Sequence, residues 1–375
     1  MVWEECRRIC CSRLLWLFLM GSMVVNLWIV WNFQEQQEYV EISRKLAESG
    51  VLWLDQENVE EILQAFAGSQ GGDPGKIPVQ NILEGTLHLI REFAAADLAD
   101  TYILSRKLQG DAAAYARKVY ATLEPVIEEN RQDKTARGFF VPCGGCFFDL
   151  YSRWLSLALT VESILGSVLL MMRCVNEPFD QRTGAEIYAS RLGRRIQAVK
   201  GRAAIMVSTG CTVAVWAMTM GMAGVVFPLG KLWDTRLGSM MVLDTFFPLV
   251  TRFPVSIRGY LGLQFLVCWC VACLFGGLAY VAVTASHRIL PAVGKLALIC
   301  FGVAVLTQVF PRETVLYFVL RFNPVDFAGK AGRWFASGGS FLSARGYEVL
   351  FVVFWGVVVL GWCRARNCRF LKEDL

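Results

Sequence analysis

Two ionisable side chains, Glu162 and Lys295, interrupt long apolar runs of this 375-residue sequence. A charged group inside hydrocarbon is costly, so such residues mark ion, proton or substrate pathways by default. Lys295 lies about two turns from the end of its run, where its flexible side chain can reach the polar interface. Glu162 lies nearer the middle of its run. Two interpretations of Glu162 stay open: a structural hydrogen bond inside a helix bundle, or a place on a translocation path.

The glycine-rich stretch from Gly72 to Lys76 contains the residue types of a phosphate-binding loop. Such a loop needs Ser or Thr directly after the lysine, and Ile77 stands there instead. We therefore expect this chain to bind no nucleotide and to carry no cofactor of its own.

Cys143 and Cys146 form a lone C-x-x-C pair. A structural zinc ion needs two further Cys or His ligands, and the chain contains only two histidines. These are His88 and His287, which the topology derived below places on opposite sides of a membrane. We expect no metal site, and the two cysteines either form a local disulfide or stay free. The shortage of histidines also leaves most hydrolytic constellations without a base, so the sequence supports no enzymatic activity.

Hydrophobic residues make up 55% of the sequence and charged residues 18%, against about 25% charged in an ordinary soluble domain. The apolar residues fall in runs of roughly 17 to 25, the length that crosses a hydrocarbon layer about 30 Å thick. This pattern predicts six spans, with counts of five or seven as alternatives. The predicted spans are Leu14–Phe33, Trp154–Cys174, Ala203–Phe227, Tyr260–Val283, Ile289–Phe310 and Tyr347–Cys363.

The lysines and arginines of the short loops predict the orientation. An even number of spans places both termini on the same side. With that side cytoplasmic, the inner segments hold fourteen of these residues and the short outer loops nine, so we predict cytoplasmic termini. A signal peptide is the alternative for the first span because Arg7, Arg8 and Arg13 precede it, but no small-residue cleavage site follows. Orientation accounts for most of the net charge of +5, which indicates no nucleic-acid partner.

The predicted fold class is an all-α membrane protein, with six transmembrane helices and a helical extracytoplasmic domain between the first and the second. Within that insert, apolar residues at helical spacing predict a third helix with its apolar face from Val79 to Leu104, and a fourth from Tyr115 to Ile127. The predicted boundaries are an amphipathic cytoplasmic segment (1–13), the first span (14–33), the extracytoplasmic domain (34–150), a five-helix transmembrane domain (151–363) and a cytoplasmic tail (364–375). The five-helix domain includes a loop at 175–202 and a re-entrant segment at 311–345, and re-entrant backbone implies a cavity.

The loop between the second and third spans is short, basic and punctuated by glycine. Its apolar residues predict a short amphipathic helix that lies at the interface and inserts into a partner's cleft. Over residues 179–203 the loop resembles the first cytoplasmic loop of type-2 ABC exporter permeases, where a Gly-Thr-like turn, a Ser-Arg pair, a Gly-Arg and a downstream Lys lead into the third span. The residues in matching places are Thr183, Gly184, Ser190, Arg191, Gly193, Arg194 and Lys200.

The order of parts is also similar to that of one bacterial branch of this family. The resemblance implies that the loop forms a coupling helix docked on a separate ATPase subunit, and that two permeases and two ATPases form the pump. It implies that Tyr188 to Lys200, together with Trp3 to Arg13, contact the ATPase. Independently of the resemblance, Glu162 is the candidate for the translocation path because it is a charge within an apolar run. The resemblance further implies a bacterial plasma membrane, contact with membrane lipid, and no ATP hydrolysis by this chain. Lipid, peptide and drug substrates all stay open.

Three alternatives stay open. The arginines of the loop could serve orientation alone. The chain could be a sensor or interaction protein whose outer domain binds a ligand, although a sensor should own a cytoplasmic signalling domain and this chain offers only the loop at 175–202 and short tails. A membrane enzyme is the third, and Glu162 would be its only anchor. Two departures from the family pattern, the Cys143–Cys146 pair and Arg182 where an acid is expected, leave the substrate unassigned.

Overall fold

The computed structural model describes residues 1–32, 94–132, 147–148, 150–181, 193–227, 233–234, 236–237, 255–335 and 346–372. Within these ranges the chain is helical and forms no strand. In chain order the helices are α1 (Val2–Cys10), α2 (Arg13–Asn32), α3 (Ala95–Arg106), α4 (Gly110–Ala121), α5 (Glu124–Gln132), α6 (Ser156–Asp180), α7 (Ile196–Val226), α8 (Ile257–Ser286), α9 (Ile289–Val309), α10 (Leu316–Leu320), α11 (Pro324–Ala328) and α12 (Tyr347–Phe370). A π-helical turn, Tyr151–Leu155, precedes α6.

Six of these helices in the described ranges, α2, α6, α7, α8, α9 and α12, are long and apolar enough to cross a membrane. They coincide with the six predicted spans, so the all-α, multi-pass fold class is confirmed. Four are longer than predicted: with its π-helical turn α6 runs from Tyr151 to Asp180, α7 begins at Ile196, α8 runs from Ile257 to Ser286 and α12 ends at Phe370. The hydrocarbon sets only the minimum length, and polar residues at both ends continue the same helices.

Helices α6, α7 and α8 form the centre of the bundle. Adjacent glycines of α8 allow two neighbours to approach it closely, because a Cβ added at Gly276 would lie 2.4 Å from Ser167 Oγ of α6, and one at Gly277 would lie 2.4 Å from Val359 Cγ1 of α12. Small residues at such crossings are typical of helix packing in membranes. By contrast, only 6% of the apolar stretch of α9 is buried, and 17% of that of α12. These two helices therefore present most of their surface outward.

The bundle has two ends of different construction. Helix α1 packs across α7, where Cys6 Sγ donates to the Ala203 carbonyl at 3.8 Å, and we call this end the α1 face. Helices α3 to α5 lie at the other end, the insert face. There the backbone N–H groups of Gln109 and Ala112 donate to the carbonyls of Arg312 and Glu313, at 3.2 and 3.0 Å. The described part of the insert is thus hydrogen-bonded to the segment that follows α9.

The third and fourth predicted helices of the insert are interrupted. Ala94 has an extended backbone, so the helix that contains Leu104 begins at Ala95 rather than near Val79. The fourth is divided: α4 ends at Ala121, and a new helix begins at Glu124 with Pro125 in its first turn. Proline has no N–H to continue the preceding helix and suits a first turn, which explains the break. The predicted helices between residues 34 and 93 lie outside the described residues.

The segment from Pro324 to Phe335 folds back against the ends of α6, α8 and α12. Phe327 stacks on Phe351 of α12 with ring centroids 3.9 Å apart. Tyr260 of α8 donates from its hydroxyl to the Gly332 carbonyl at 3.3 Å, and Trp334 is fully buried. This segment occupies part of the predicted re-entrant region and lies within about two turns of the helix ends. Residues 336–345 are outside the described ranges.

Gly332 provides the first test of this packing. A Cβ at Gly332 would lie 1.8 Å from the Ser152 carbonyl oxygen, so Gly332→Ala should displace the segment and lower the free energy of unfolding by about 1–3 kcal/mol. Gly329→Ala is the matched control, since its Cβ would meet the Val325 carbonyl oxygen at 3.5 Å, an ordinary contact. Thermal unfolding in detergent measures both variants. Equal melting temperatures for the two would contradict this packing.

Candidate functional site

Asn26, Glu162 and Thr219 form a polar cluster inside the otherwise apolar bundle. The side-chain amide of Asn26 donates to Glu162 Oε2 and to Thr219 Oγ1, both at 2.9 Å. The three side chains belong to α2, α6 and α7 and are buried, with 1% exposure for Asn26 and Thr219 and 8% for Glu162. The structure thus places Glu162, the predicted pathway residue, at a junction of three spans.

Acceptor oxygens in this cluster outnumber the donors that reach them. Glu162 Oε1 and Asn26 Oδ1 are buried and have no hydrogen-bond partner among the described residues. An unsatisfied buried polar atom costs about 1–3 kcal/mol, which a proton, a water molecule or a small cation beside Glu162 would remove. The geometry therefore suits both the structural hydrogen bond and the pathway interpretation of Glu162.

A double-mutant cycle tests the structural part of this cluster. Asn26→Leu should lower the free energy of unfolding by about 2–3 kcal/mol, because it leaves the Glu162 carboxyl buried without its donor. The double variant Asn26→Leu, Glu162→Leu should recover most of that loss, since both partners are then apolar. Thermal unfolding of both single variants and the double variant gives the coupling energy. Single losses that simply add would show that the two side chains are not coupled.

Lys200, a predicted ATPase contact, lies inside the protein at the α1 face. Its side chain is only 3% exposed, and Nζ lies 2.6 Å from Glu177 Oε2 of α6 and 3.6 Å from Glu5 Oε1 of α1. Arg8 of α1 pairs with the same Glu177 carboxylate and, at 2.5 Å, with Glu5 Oε2. Two cations and two carboxylates thus form a network that joins α1, α6 and α7.

Of the other predicted coupling residues, the structure describes Gly193 and Arg194. Gly193 begins a 3-10 turn, Gly193–Arg195, and has a φ of +52°, in the left-handed region that glycine adopts readily. Arg194 is described by its backbone alone, and Arg195 is exposed. The docking role of this loop stays a prediction. The remaining predicted residues lie outside the described ranges: Thr183, Gly184, Tyr188, Ser190 and Arg191.

A second ionic cluster lies at the insert face. Arg321 donates to Asp326 Oδ1 from Nε at 3.0 Å and from Nη2 at 2.8 Å, and to the Tyr317 hydroxyl at 2.5 Å. Lys330 Nζ lies 2.7 Å from Asp326 Oδ2. Burial raises the pKa of Asp326, but the ion pairs with Lys330 and Arg321 outweigh burial and hold that pKa below its usual 3.8. Burial lowers the pKa of Lys330 to about 8, although Asp326 opposes the shift.

The lowered pKa of Asp326 predicts an acid-sensitive contribution to stability. A carboxyl group whose pKa is lower in the folded state stabilises the fold above its unfolded pKa, and the effect is lost as pH falls through the folded pKa. At pH 7, Asp326→Asn should cost on the order of 3 kcal/mol, because it leaves two buried cations without a carboxylate. The difference in melting temperature between wild type and variant should hold from pH 7 to 5 and shrink below about 4. A difference that stays constant to pH 2.5 would contradict the assignment.

The sequence singles out Glu162 and Lys200 as candidates but not the side chains that engage them. Asn26 and Thr219 are separated from one another by 193 residues of sequence, and no local pattern pairs them. One signal was present, because Asn26 is an amide inside an apolar run, where polar side chains commonly bond across helices. Glu5 and Glu177 carry a weaker signal as carboxylates beside predicted span ends.

No protein-family model, curated protein or solved structure matches this chain. Function therefore has to be argued from the geometry and from the resemblance of the loop at 179–203. Across the described ranges no three His, Cys, Asp or Glu side chains lie close enough together to hold a metal ion. The Cys143–Cys146 pair is outside those ranges.

Proposed function

We propose that this chain is the transmembrane permease subunit of an ATP-driven exporter in a bacterial plasma membrane. In this proposal the α1 face and both termini are cytoplasmic, and a separate ABC-type ATPase subunit docks there and supplies the energy. The chain itself hydrolyses no ATP and pairs with a second copy or a paralogue. The spans form the translocation path, and Glu162 is a polar residue on that path.

The network of Lys200, Glu177, Glu5 and Arg8 is the observation that carries the proposal. Glu177 lies one turn before the end of α6, and Lys200 lies in the second turn of α7, so the two residues flank the loop that resembles a coupling helix. The same network holds α1, the other predicted ATPase contact. A force applied by a partner to the loop or to α1 would therefore reach two central spans through buried ion pairs, whose disruption is costly.

The exposed apolar surface of the bundle supports the paired assembly. Helix α9 exposes Leu298, Phe301 and Leu290 by 71%, 68% and 83%. Such a surface is compatible with membrane lipid and with a second permease subunit, because both are apolar. Helices α6 and α7, which carry Glu177 and Lys200, lie at the centre of the bundle instead.

Reconstitution with an ATPase subunit tests the proposal. The tagged chain is expressed together with any Walker-motif ATPase that a neighbouring gene encodes, and the retained ATPase and its ATP hydrolysis are measured after purification. Wild-type chain should retain the ATPase in about equimolar amount. Reversing Arg191, Arg194 and Arg195 to Glu should reduce retention at least tenfold, because like-charge or unpaired contacts at an interface cost several kcal/mol.

Arg258→Glu is the matched control for this experiment. Arg258 is 76% exposed, lies at the insert face and pairs with Asp234, which is 84% exposed, so its reversal should leave ATPase retention unchanged. Equal retention by wild type and the triple variant would overturn the coupling assignment. The absence of any Walker-motif ATPase gene beside this chain, together with no ATPase retained, would overturn the proposed function.

A further inference from the structure

A cavity of about 490 Å³ lies at the insert face, between the end of α9 and the segment that follows it. This volume is within the range of roughly 300–1,000 Å³ that is typical of small-molecule sites. One wall consists of Ala304, Val305, Thr307, Gln308 and Val309 of α9, and the opposite wall carries Arg321, Asp326 and Lys330 beside Val325 and Gly329. Arg106, the last residue of α3, completes the lining.

The charges of this lining do not cancel. Three cationic side chains face one carboxylate, Asp326, which leaves two positive charges in excess. Both Asp326 oxygens are engaged, Oδ1 by Arg321 and Oδ2 by Lys330. The carboxylate thus fixes the position of two cations without neutralising the third, Arg106. Excess cationic charge in a partly buried cavity favours an anionic ligand.

Among the described residues, Arg106 has no carboxylate as an ion-pair partner. Its Nε is buried and makes no hydrogen bond to any described residue. Buried charged donors are normally paired. Burial also lowers the pKa of Lys330 to about 8. An anion in the cavity would compensate for the solvation that Arg106 and Lys330 have lost.

The position of the cavity points to the membrane surface. Its α9 wall is the last turn and a half of a span, and on that helix Leu306 and Val309 are 52% and 76% exposed. An amphiphile could place its polar group in the cavity and its apolar part along α9. Arginine binds phosphate oxygens with two parallel hydrogen bonds, and lysine adds a point charge.

We infer that this cavity binds a phosphate-bearing anion through Arg106, Lys330 and Arg321, with the headgroup of an anionic glycerophospholipid as its source. Asp326 is a positioning residue that holds two of the three cations. The site does not depend on the permease function proposed above, since it uses none of the α1 face.

A titration of purified, delipidated chain in detergent tests the inference. The probes are dioleoyl phosphatidylglycerol, dioleoyl phosphatidylcholine and sodium phosphate, and the readout is the melting temperature from the fluorescence of the chain's twelve tryptophans. Phosphatidylglycerol should raise the melting temperature of the wild type at the lowest concentration. Arg106→Gln should weaken this response about tenfold, the effect of losing charge-assisted hydrogen bonds. Arg106→Lys, which keeps the charge, should fall between them.

Arg106 suits this test because its removal leaves no described carboxylate unpaired, so without lipid the variant should melt no lower than the wild type. Arg117→Gln is the control, since Arg117 is a 63% exposed arginine of the same insert that pairs with Asp100, and its titration should be unchanged. A response to sodium phosphate that also depends on Arg106 would support the site with free phosphate as its source. Equal responses of wild type and Arg106→Gln, or of the two phospholipids, would overturn the inference.

Discussion

Every backbone polar group that enters the hydrocarbon must find its hydrogen-bond partner within the protein, and this constraint determines the architecture. Six apolar segments satisfy it by forming helices, whose backbone hydrogen bonds are internal. A polar side chain can also bond across helices, as Asn26 does with Glu162 and Thr219. The hydrocarbon has a second consequence, because it supplies no hydrophobic driving force between helices and leaves their association to dispersion contacts. Gly276 and Gly277 allow the close approach that such contacts need where α8 meets its neighbours.

The segment after α9 meets the same constraint without a long helix, so other groups satisfy its backbone. Asn323 caps α11 by accepting from the N–H groups of Val325 and Asp326, at 3.0 and 2.9 Å. Gln264 of α8 donates to the Trp334 carbonyl at 3.3 Å, and Glu348 of α12 accepts from the Phe335 N–H at 2.7 Å. Phe335 has a φ of +64°, which is unfavourable for a residue with a Cβ. Side chains of two spans thus hold an irregular turn that its own sequence would not stabilise.

The sequence predicted what depends on composition along the chain and missed what depends on contacts across it. The length of the apolar runs was sufficient to predict the six spans, because the thickness of the hydrocarbon layer sets how many apolar residues a span needs. Helical periodicity was insufficient near Ala94, where an extended residue separates segments that share an apolar pattern. Glu162 could be singled out as a charge in an apolar run, but its donor lies 136 residues away. Lys200 was grouped with the predicted ATPase contacts of the loop, and the pattern of the loop did not indicate that the Glu5 and Glu177 carboxylates allow it to be buried.

Because Lys200 is buried at the α1 face, it can hold helices in position there but cannot itself contact a partner. Lys200 and Arg8 carry two positive charges and Glu5 and Glu177 two negative ones, so the network has no net charge. Its contribution is to fix α1 across the ends of α6 and α7. A partner at this face would therefore contact groups that the network leaves outward, among them Trp3, which is 77% exposed on α1, and the exposed Arg195. Those groups project from elements that the buried network holds together. A force that a partner applies to them would therefore reach α6 and α7 together.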